Sequence, residues 1–425
     1  MNIGEIKSAI AAGKFDESFK LLYGDTEAAA KRYSRACDSF KDIYPSSGDI
    51  RLFSAPGRTE VGGNHTDHQH GSVLAGSVNL DVIAVVSANN DGKIRIKSEG
   101  YDMDVIDIND LDKKPEEIGR AAALIRGVCQ RFADMGCTLG GFDAYTTSNV
   151  LKGSGLSSSA AFEVLVGNIL NGLFYDKKAD AITIAKIGQY AEREYFGKPC
   201  GLLDQMASSL GGFTYADFSD PANPITESID LDILSYGYTL CVVDTGGNHA
   251  DLTDDYAGIT VECREISNAL DVDFLRDADV TRFYNSLGTL RRDCGDRAVL
   301  RAVHFYAENK RVPLQVRALE EGDFDAFLEL VKESGRSSWV YLQNVTPAGY
   351  KEHQDMALAL ALCERYLKGR GASRVHGGGF AGTVQAFVPF DILEEFRVGI
   401  DAVLGEGACH VLSIRPQGGV EACGE

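Results

Sequence analysis

Two charged residues in glycine-containing segments have types and positions suited to chemistry. Asp204 stands in the otherwise apolar segment Cys200–Met206. A buried carboxylate is costly without a partner, so this position indicates either a helix cap or core ion pair, or a general base. Arg58 follows a Pro-Gly turn and precedes a polar loop, which is consistent with either a surface ion pair or a catalytic role. The residues alone leave these alternatives open.

The segment Lys152–Ser159 is rich in glycine and serine. Small residues let a backbone approach a ligand closely, and the free N–H groups at the start of a helix favour an anion. The serine hydroxyls add donors and one possible magnesium ligand. We expect a phosphate-binding loop here, with a flexible turn and a serine helix cap as the structural alternative. The segment is neither a Walker A loop nor a dinucleotide fingerprint.

The loop His65–His70 contains three histidines and Asp67. Imidazoles with a carboxylate are a common zinc set, but three histidines within six loop residues rarely converge on one ion. The same neutral donors and acceptors, together with Asp67, suit the hydroxyl groups of a sugar. We therefore expect a polyol-binding loop and keep a structural metal site as the minor alternative.

Four segments together resemble the GHMP kinases. They are, in chain order, Ala55–Asp67, Lys152–Ala161 (KGSGLSSSAA), Cys200–Gln205 (CGLLDQ) and Gly377–Thr383 (GGGFAGT). The first is similar to the galactokinase signature within that family, and the order and spacing of all four agree with the family. The resemblance implies an α+β fold of two lobes with mixed sheets and flanking helices. It also implies ATP-dependent phosphorylation of the anomeric hydroxyl of galactose.

The resemblance further implies roles for individual residues. Asp204 is expected to be the base, and Arg58 is expected to keep it ionised and to neutralise charge on the transferred phosphoryl group. Ser159 and Glu192 match the positions that hold Mg²⁺, although Glu194 lies close to Glu192. The expected sugar contacts are Asn64, His65, Asp67, Asp244, Tyr256, Gly378 and Gly379. The expected ATP contacts are Lys152, Gly153, Ser154, Gly155, Leu156, Ser157, Ser158 and Ser159.

Two positions depart from the signature. Glu60 stands where the family has Asn, and Asn64 stands where the family has a Glu that touches the hydroxymethyl end of the sugar. These changes leave the exact sugar open, so a kinase for N-acetylgalactosamine or arabinose is the closest alternative. A non-catalytic galactose sensor is less favoured because Asp204, Arg58 and the serine-rich loop are retained. A metallohydrolase that uses the histidine loop is the least favoured.

The composition excludes several classes of partner. With 62 Asp and Glu against 42 Lys and Arg, the net charge is −20, which argues against nucleic acid and anionic membrane surfaces. The longest apolar stretch is too short to span a bilayer, and no secretion signal is recognised. Ten cysteines without a C-x-x-C pair are expected to be reduced thiols in a cytoplasmic protein. Galactose and ATP are the expected partners, and a monomer is slightly favoured.

The elements that must position these motifs fall into three regions. Residues 1–48 are predicted to be a helical extension, residues 49–214 the lobe with the sugar and phosphate motifs, and residues 215–425 the lobe with the third glycine motif. The predicted helices cover residues 4–43 (two helices broken at Gly24-Asp25), an amphipathic segment from about 160, 179–195 and 356–367. The predicted strands are 50–53, 142–147, 383–388 and a hairpin of 82–88 with 93–97.

Overall fold

The computed structural model describes residues 1–150, 155–247 and 253–423. Its α-helices are α1 Ile3–Ala11, α2 Asp16–Tyr23, α3 Thr26–Ile43, α4 Ala121–Asp134, α5 Ser158–Phe174, α6 Ala181–Tyr190, α7 Leu203–Leu210, α8 Thr253–Ala269, α9 Val280–Asn285, α10 Leu287–Cys294, α11 Asp296–Glu320, α12 Phe324–Ser337, α13 Asp355–Leu367 and α14 Leu393–Leu404. Single 3₁₀ or π turns lie at Asp67–Gln69, Pro115–Glu117, Ala191–Phe196, Ile233–Tyr236, Leu275–Asp277, Ser338–Leu342 and Phe390–Ile392.

The strands form two sheets. They are β1 Arg51–Gly62, β2 Ser72–Asn89, β3 Lys93–Ser98, β4 Met103–Asp107, β5 Gly141–Ser148, β6 Phe213–Asp217, β7 Ile225–Ile229, β8 Tyr238–Asp244, β9 Ala372–His376, β10 Thr383–Pro389, β11 Cys409–Leu412 and β12 Val420–Glu421. The larger sheet has the order β12-β1-β2-β5-β3-β4, with β6 and β7 continuing from β2, and the smaller has the order β11-β8-β10-β9. This mixture of sheets and flanking helices confirms the α+β prediction, while the boundaries at residues 48 and 214 stay predictions.

The N-terminal region has one more helix than the sequence pattern predicted. The chain does break at Gly24-Asp25, where Gly24 ends α2 and the Asp25 side chain caps α3. A further break between α1 and α2 divides the first predicted helix in two. The buried side chains of α1–α3 pack against one face of β1, β2 and β5, in a cluster that includes Tyr33 and Phe40. The N-terminal extension is therefore part of the packed body of the larger sheet.

The predicted hairpin of residues 82–88 with 93–97 is wrong in its pairing. The two strands exist, and the chain turns between them at Asn90-Asp91-Gly92, but β2 and β3 are not neighbours. Strand β5 lies between them, antiparallel to β2 and parallel to β3. The turn residues thus set the change of direction, and a strand from farther along the chain decides the pairing.

Helix α5 is more deeply buried than an amphipathic pattern implies. Most of its residues from Ala160 to Asn171 are buried, including Glu163. It lies in the main core against β1, β2 and β12, and between helices α4, α6 and α7. A helix surrounded on all sides in this way holds its N-terminus in a fixed place, and that end carries the serine-rich loop.

Two further findings concern the whole chain. No helix in the described ranges is both long and apolar enough to cross a membrane. The ten cysteines are all free thiols, and seven of them are buried.

Candidate active site

Strand β1 brings Arg58 to the centre of the molecule. The antiparallel register between β1 and β2 shifts between Pro56 and Arg58 and again between Glu60 and Gly62. Such bulges turn side chains out of the regular alternation and are common next to active sites. The Arg58 backbone N–H donates to the carbonyl of Leu156 at 3.1 Å, so the strand and the serine-rich loop are joined at this point.

Arg58 and Asp204 form an ion pair at the end of this strand. Asp204 lies in the first turn of α7. Arg58 Nε donates to Asp204 Oδ1 at 2.7 Å, Nη2 lies at 2.7 Å from the same oxygen, and Nη1 donates to the carbonyl of Gly155. The arginine is almost fully buried, whereas the aspartate side chain is 31% exposed. The pair therefore presents its carboxylate to a cleft and keeps its cation behind it.

The Asp204 carboxyl is held in its ionised form. Burial raises its pKa, but the positive charge of Arg58 and the hydrogen bond from Ser157 outweigh burial and leave the pKa below its ordinary value. Ser157 Oγ donates to Asp204 Oδ2 at 2.5 Å. Ser157 precedes α5 in a left-handed conformation, and its hydroxyl does not cap the helix. The serine-rich loop thus touches the carboxylate directly.

Ser159 and Glu192 lie side by side behind the carboxylate. Ser159 Oγ donates to Glu192 Oε1 at 3.1 Å, and Gln205 Nε2 donates to Glu192 Oε2 at 2.8 Å. Glu192 is buried, whereas Glu194 is half exposed and pairs with Lys113 on the surface. The structure therefore brings Glu192, and not Glu194, to the serine. A hydroxyl and a carboxylate oxygen are donors that Mg²⁺ accepts, with waters and phosphate oxygens completing an octahedron.

A cleft that is partly open to solvent lies in front of Asp204. Its wall combines cations, carboxylates and backbone from five separate segments. The lining residues are Arg58, Glu60, His65, Asp67, His68, Lys198, Cys200, Gly201, Leu203, Asp204, Tyr256, Gly377 and Gly378. A concave surface with this many polar groups suits a small polyol better than an apolar ligand.

The histidine loop forms one side of the cleft. Burial, followed by the neighbouring His68, lowers the pKa of His65 to about 3. The ring is therefore neutral, and its Nε2 lies 2.9 Å from the carbonyl of Gly378. Asp67 Oδ1 accepts from the backbone N–H of His68. A Cβ at Gly201 would lie 1.6 Å from Asp67 Oδ2, so only glycine leaves room for this carboxylate.

Tyr256 packs against the histidine loop in the cleft wall. Its ring centroid is 5.1 Å from that of His65, and burial followed by the negative charge of Asp204 raises the pKa of its hydroxyl. A Cβ at Gly378 would lie 2.3 Å from Tyr256 Cε2. The glycine of the third motif therefore allows the tyrosine ring to lie against the backbone of residues 377–378.

The remaining predicted sugar residues are not in the cleft wall. Asn64 is fully buried, and its Nδ2 donates to Glu60 Oε1 and to the carbonyl of Gly377. Gly379 lies against Asn344, whose side chain donates to Asn64 Oδ1. Asp244 ends β8 as predicted, but its carboxylate accepts from the N–H of Gly246. In this structure Asn64 and Gly379 build the support of the third glycine loop, and Asp244 closes a turn.

Five of the eight predicted ATP contacts lie in the described part of the chain, at the start of α5. Gly155 and Leu156 give their carbonyls to Arg58, Ser157 contacts Asp204, and Ser158 is the first residue of α5. Ser159 is the second residue of α5, and its hydroxyl donates to Glu192. Lys152, Gly153 and Ser154 lie outside the described residues.

No grouping of three or more His, Cys, Asp or Glu side chains that could hold a metal ion is found in the part of the chain that the structure describes. The zinc alternative for the histidine loop therefore has no support from the geometry. His65 and His68 instead stack, with ring centroids 5.9 Å apart.

Comparison with known proteins places the chain in a family. The model of the GHMP kinases N terminal domain matches residues 123–212, and the galactokinase galactose-binding signature matches residues 38–88. A curated galactokinase from Streptomyces coelicolor is 30% identical over 368 residues, which cover 86% of this chain and 89% of the relative. The chain belongs to the galactokinase family.

Solved structures agree on the fold. The galactokinase of Lactococcus lactis, determined in complex with galactose, superimposes with a TM-score of 0.77 at 24% identity, covering 90% of this chain and 98% of the other. The mevalonate kinase of Methanococcus jannaschii superimposes with a TM-score of 0.62 at 13% identity, covering 86% and 99%. The fold is therefore that of the GHMP kinases.

Glu60 and Asn64 are the two positions at which the sequence departs from the galactokinase signature. The structure shows that the two side chains touch, at 2.8 Å. Arg374 Nη2 donates to the same Glu60 oxygen at 2.9 Å. Burial nevertheless raises the pKa of Glu60 to about 7, with Arg374 and Arg58 opposing the rise. The pair therefore contains one carboxylate, that of Glu60, and it lies in the cleft wall.

Sequence reasoning missed Lys198, which also lines the cleft. Its Nζ lies 2.9 Å from Glu192 Oε1. The only available signal was its position, since Gly197-Lys198-Pro199 directly precedes the CGLLDQ motif. It also missed Gln205 as the residue that orients Glu192, although Gln205 is the last residue of that motif.

Proposed function

We propose that the protein transfers the γ-phosphoryl group of ATP to the anomeric hydroxyl of galactose, giving galactose 1-phosphate and ADP. One observation carries the proposal: the Asp204 carboxylate faces a cleft lined by polar groups while it contacts both Arg58 and Ser157. The proposed catalytic base, Asp204, is thus in direct contact with the serine-rich loop that would bind the phosphates. Membership of the galactokinase family supports galactose as the sugar.

The chemistry follows from this arrangement. The anomeric oxygen attacks the γ-phosphorus, the bond from that phosphorus to the bridging oxygen breaks, and ADP leaves. Phosphoryl transfer of this type depends on positioning and charge neutralisation more than on covalent steps. Asp204 takes the proton of the anomeric hydroxyl as the new bond forms, because a carboxylate is too weak a base to remove it beforehand. Arg58 keeps Asp204 ionised and adds positive charge near the transferred group.

The N-terminus of α5 and the nearby Glu192 carboxylate suit the binding of a triphosphate with Mg²⁺. The N-terminus of α5 has no side-chain cap, and free N–H groups with the helix dipole favour an anion. Ser159 and Glu192 would hold Mg²⁺, which when bound neutralises phosphate charge. A cytoplasmic location and a monomeric state remain predictions from the sequence.

The rival sugars differ in size at the cleft, so a substrate panel distinguishes them. ADP release is measured with galactose, N-acetylgalactosamine, arabinose, glucose and mevalonate at saturating ATP and Mg²⁺. We expect the highest kcat/KM with galactose. A higher kcat/KM with another acceptor would overturn the sugar assignment, and no ADP release with any of them, despite galactose binding, would favour the sensor.

A further inference from the structure

Lys198 is the second cation of the cleft, and the family motifs assign it no role. It follows the π turn Ala191–Phe196, and Gly197 adopts a left-handed conformation with φ 85° that turns the chain back. The backbone N–H of Lys198 then donates to the carbonyl of Glu192 at 3.1 Å. The side chain returns along the same residue, and its Nζ reaches Glu192 Oε1 at 2.9 Å. The backbone and the side chain together fix the ammonium beside Glu192.

The two cations of the cleft are used differently. All three nitrogens of the Arg58 guanidinium contact Asp204 or Gly155. The Lys198 ammonium carries three N–H donors, and in the described part of the chain it contacts Glu192 alone. The lysine side chain is 48% exposed, whereas that of Arg58 is 6% exposed. Lys198 is therefore the cation with room for a further anionic partner.

Lys198 shares one carboxylate partner with the serine-rich loop. Ser157 touches the base Asp204, and Ser159 touches Glu192 Oε1, the same oxygen that Lys198 contacts. Lys198 thus contacts the carboxylate that holds Ser159, and its side chain lines the same cleft as Asp204.

We propose that Lys198 binds the terminal phosphate of the nucleotide and stabilises the charge on the transferred phosphoryl group. This inference rests on the proposed function. As the anomeric O–P bond forms and the bond to the bridging oxygen of ADP breaks, the proton goes to Asp204. Lys198 keeps its own proton throughout and supplies positive charge to the equatorial oxygens of the phosphoryl group.

The test compares nucleotides with and without the γ-phosphate. Binding of ADP and of the β,γ-imido analogue of ATP is measured by calorimetry with excess Mg²⁺, for wild type, Lys198→Met and Lys198→Arg. We expect Lys198→Met to weaken binding of the analogue by about tenfold or more, as for a lost contact to a charged group, and to change ADP binding by less than about twofold. We expect kcat to fall about 10²-fold, as for one lost oxyanion donor, and Lys198→Arg to recover part of both.

Lys113 provides the matched control. It pairs with Glu194 at 2.8 Å near the same turn, but both side chains are about half exposed. Lys113→Met should leave both nucleotide affinities and kcat unchanged.

Three outcomes would overturn the role of Lys198. In the first, Lys198→Met binds each nucleotide as tightly as wild type does. In the second, Lys198→Met loses the same factor of affinity for ADP and for the imido analogue. In the third, the kcat of Lys198→Met equals that of wild type. The second would mean that Lys198 only positions Glu192. If wild type phosphorylates no sugar, the proposed function fails instead, and the difference between the two nucleotides still tests Lys198.

Discussion

The protonation state of Asp204 depends on Arg58, because the guanidinium charge favours the ionised carboxylate. Burial alone would favour a protonated Asp204, and the guanidinium reverses that preference. The carboxylate is therefore ready to accept a proton at neutral pH, which is the condition for a base in the transition state.

Replacing Arg58 by Ala tests this coupling. Without the cation, the pKa of Asp204 should rise, so kcat should be lost at acidic pH and the acid limb of the kcat–pH profile should move toward neutrality. At pH 8 we expect kcat to fall about 10²-fold or more and the sugar KM to change little, because the lost charge acts mainly in the transition state. Arg35, an exposed surface residue, provides the control as Arg35→Ala.

A rise in sugar KM alone, with kcat and its pH profile unchanged, would mean that Arg58 only helps to bind the sugar.

Glu60 gives the cleft a second group that titrates near neutrality. Its pKa of about 7 is raised by burial, so the carboxyl is largely protonated at pH 6 and ionised at pH 8. The ionised form only accepts hydrogen bonds, and sugar hydroxyls can donate to it. We therefore expect the galactose KM to fall as pH rises through about 7 in wild type, and this inflection to be absent in Glu60→Gln. An inflection that persists in the variant would assign it to another group.

At the scale of elements, the fit of the third glycine loop against α8 should control sugar binding. Alanine at Gly378 would place a Cβ 2.3 Å from the Tyr256 ring, so the ring or the glycine loop must shift. We expect Gly378→Ala to raise the sugar KM about tenfold, in line with a misplaced binding group. Gly288→Ala is the control, because open space surrounds Gly288. An unchanged KM would show that Tyr256 does not contact the sugar.

The elements show which sequence patterns were informative. Strands β5 and β10 and helix α13 lie within one residue of their predicted bounds, because local hydrophobic patterning defines them. Strand β1 instead continues through Pro56 and Gly57 to Gly62, where turn residues had predicted a loop. The bulges accommodate these residues, and bulges depend on the partner strand. The insertion of β5 between β2 and β3 likewise depends on distant pairing and has no local signal.

The same distinction applies to the site. The motifs identified Arg58, Asp204, His65, Asp67, Tyr256 and Gly378, and the structure brings all six to one cleft. Lys198 was not identified because its role depends on where Glu192 lies in space. Asn64 was expected in the cleft because of its motif position, but it is buried, and its amide donates hydrogen bonds to Glu60 and to the carbonyl of Gly377.

At the scale of the molecule, one buried charge cluster joins the N-terminal helices to the larger sheet and to the C-terminal segment. Asp81 of β2 is fully buried and accepts from Tyr23 of α2, Arg32 of α3 and Arg415 beyond β11. Burial raises the pKa of Asp81, but Arg32 and Arg415 together leave it below the ordinary value. The extension is thus held by charges as well as by apolar packing.

Asp81→Asn should therefore destabilise the whole protein. It leaves two arginines buried without their anion, which costs about 3–5 kcal/mol. Since the native pKa is lowered, this contribution is present above about pH 4 and is lost as pH falls through the native pKa. Urea unfolding at pH 7 measures the loss, with Asp38→Asn as control, because Asp38 pairs with Lys7 on the surface. A loss below about 1 kcal/mol, typical of a surface pair, would contradict the account.

The net charge of −20 indicates nothing about the site itself. The cleft places the cations Arg58 and Lys198 among the carboxylates Glu60, Asp67 and Asp204, so the charges that would meet the triphosphate depend on this local arrangement and not on the overall charge.

The most direct test of the account is the turnover of Asp204→Asn, measured with galactose and ATP, beside calorimetric binding of galactose and of the imido analogue. If Asp204 is the base, kcat should fall about 10²–10⁴-fold while binding of the nucleotide analogue changes less than about threefold. A kcat close to that of wild type would contradict the assignment of Asp204 and, with it, the proposed mechanism.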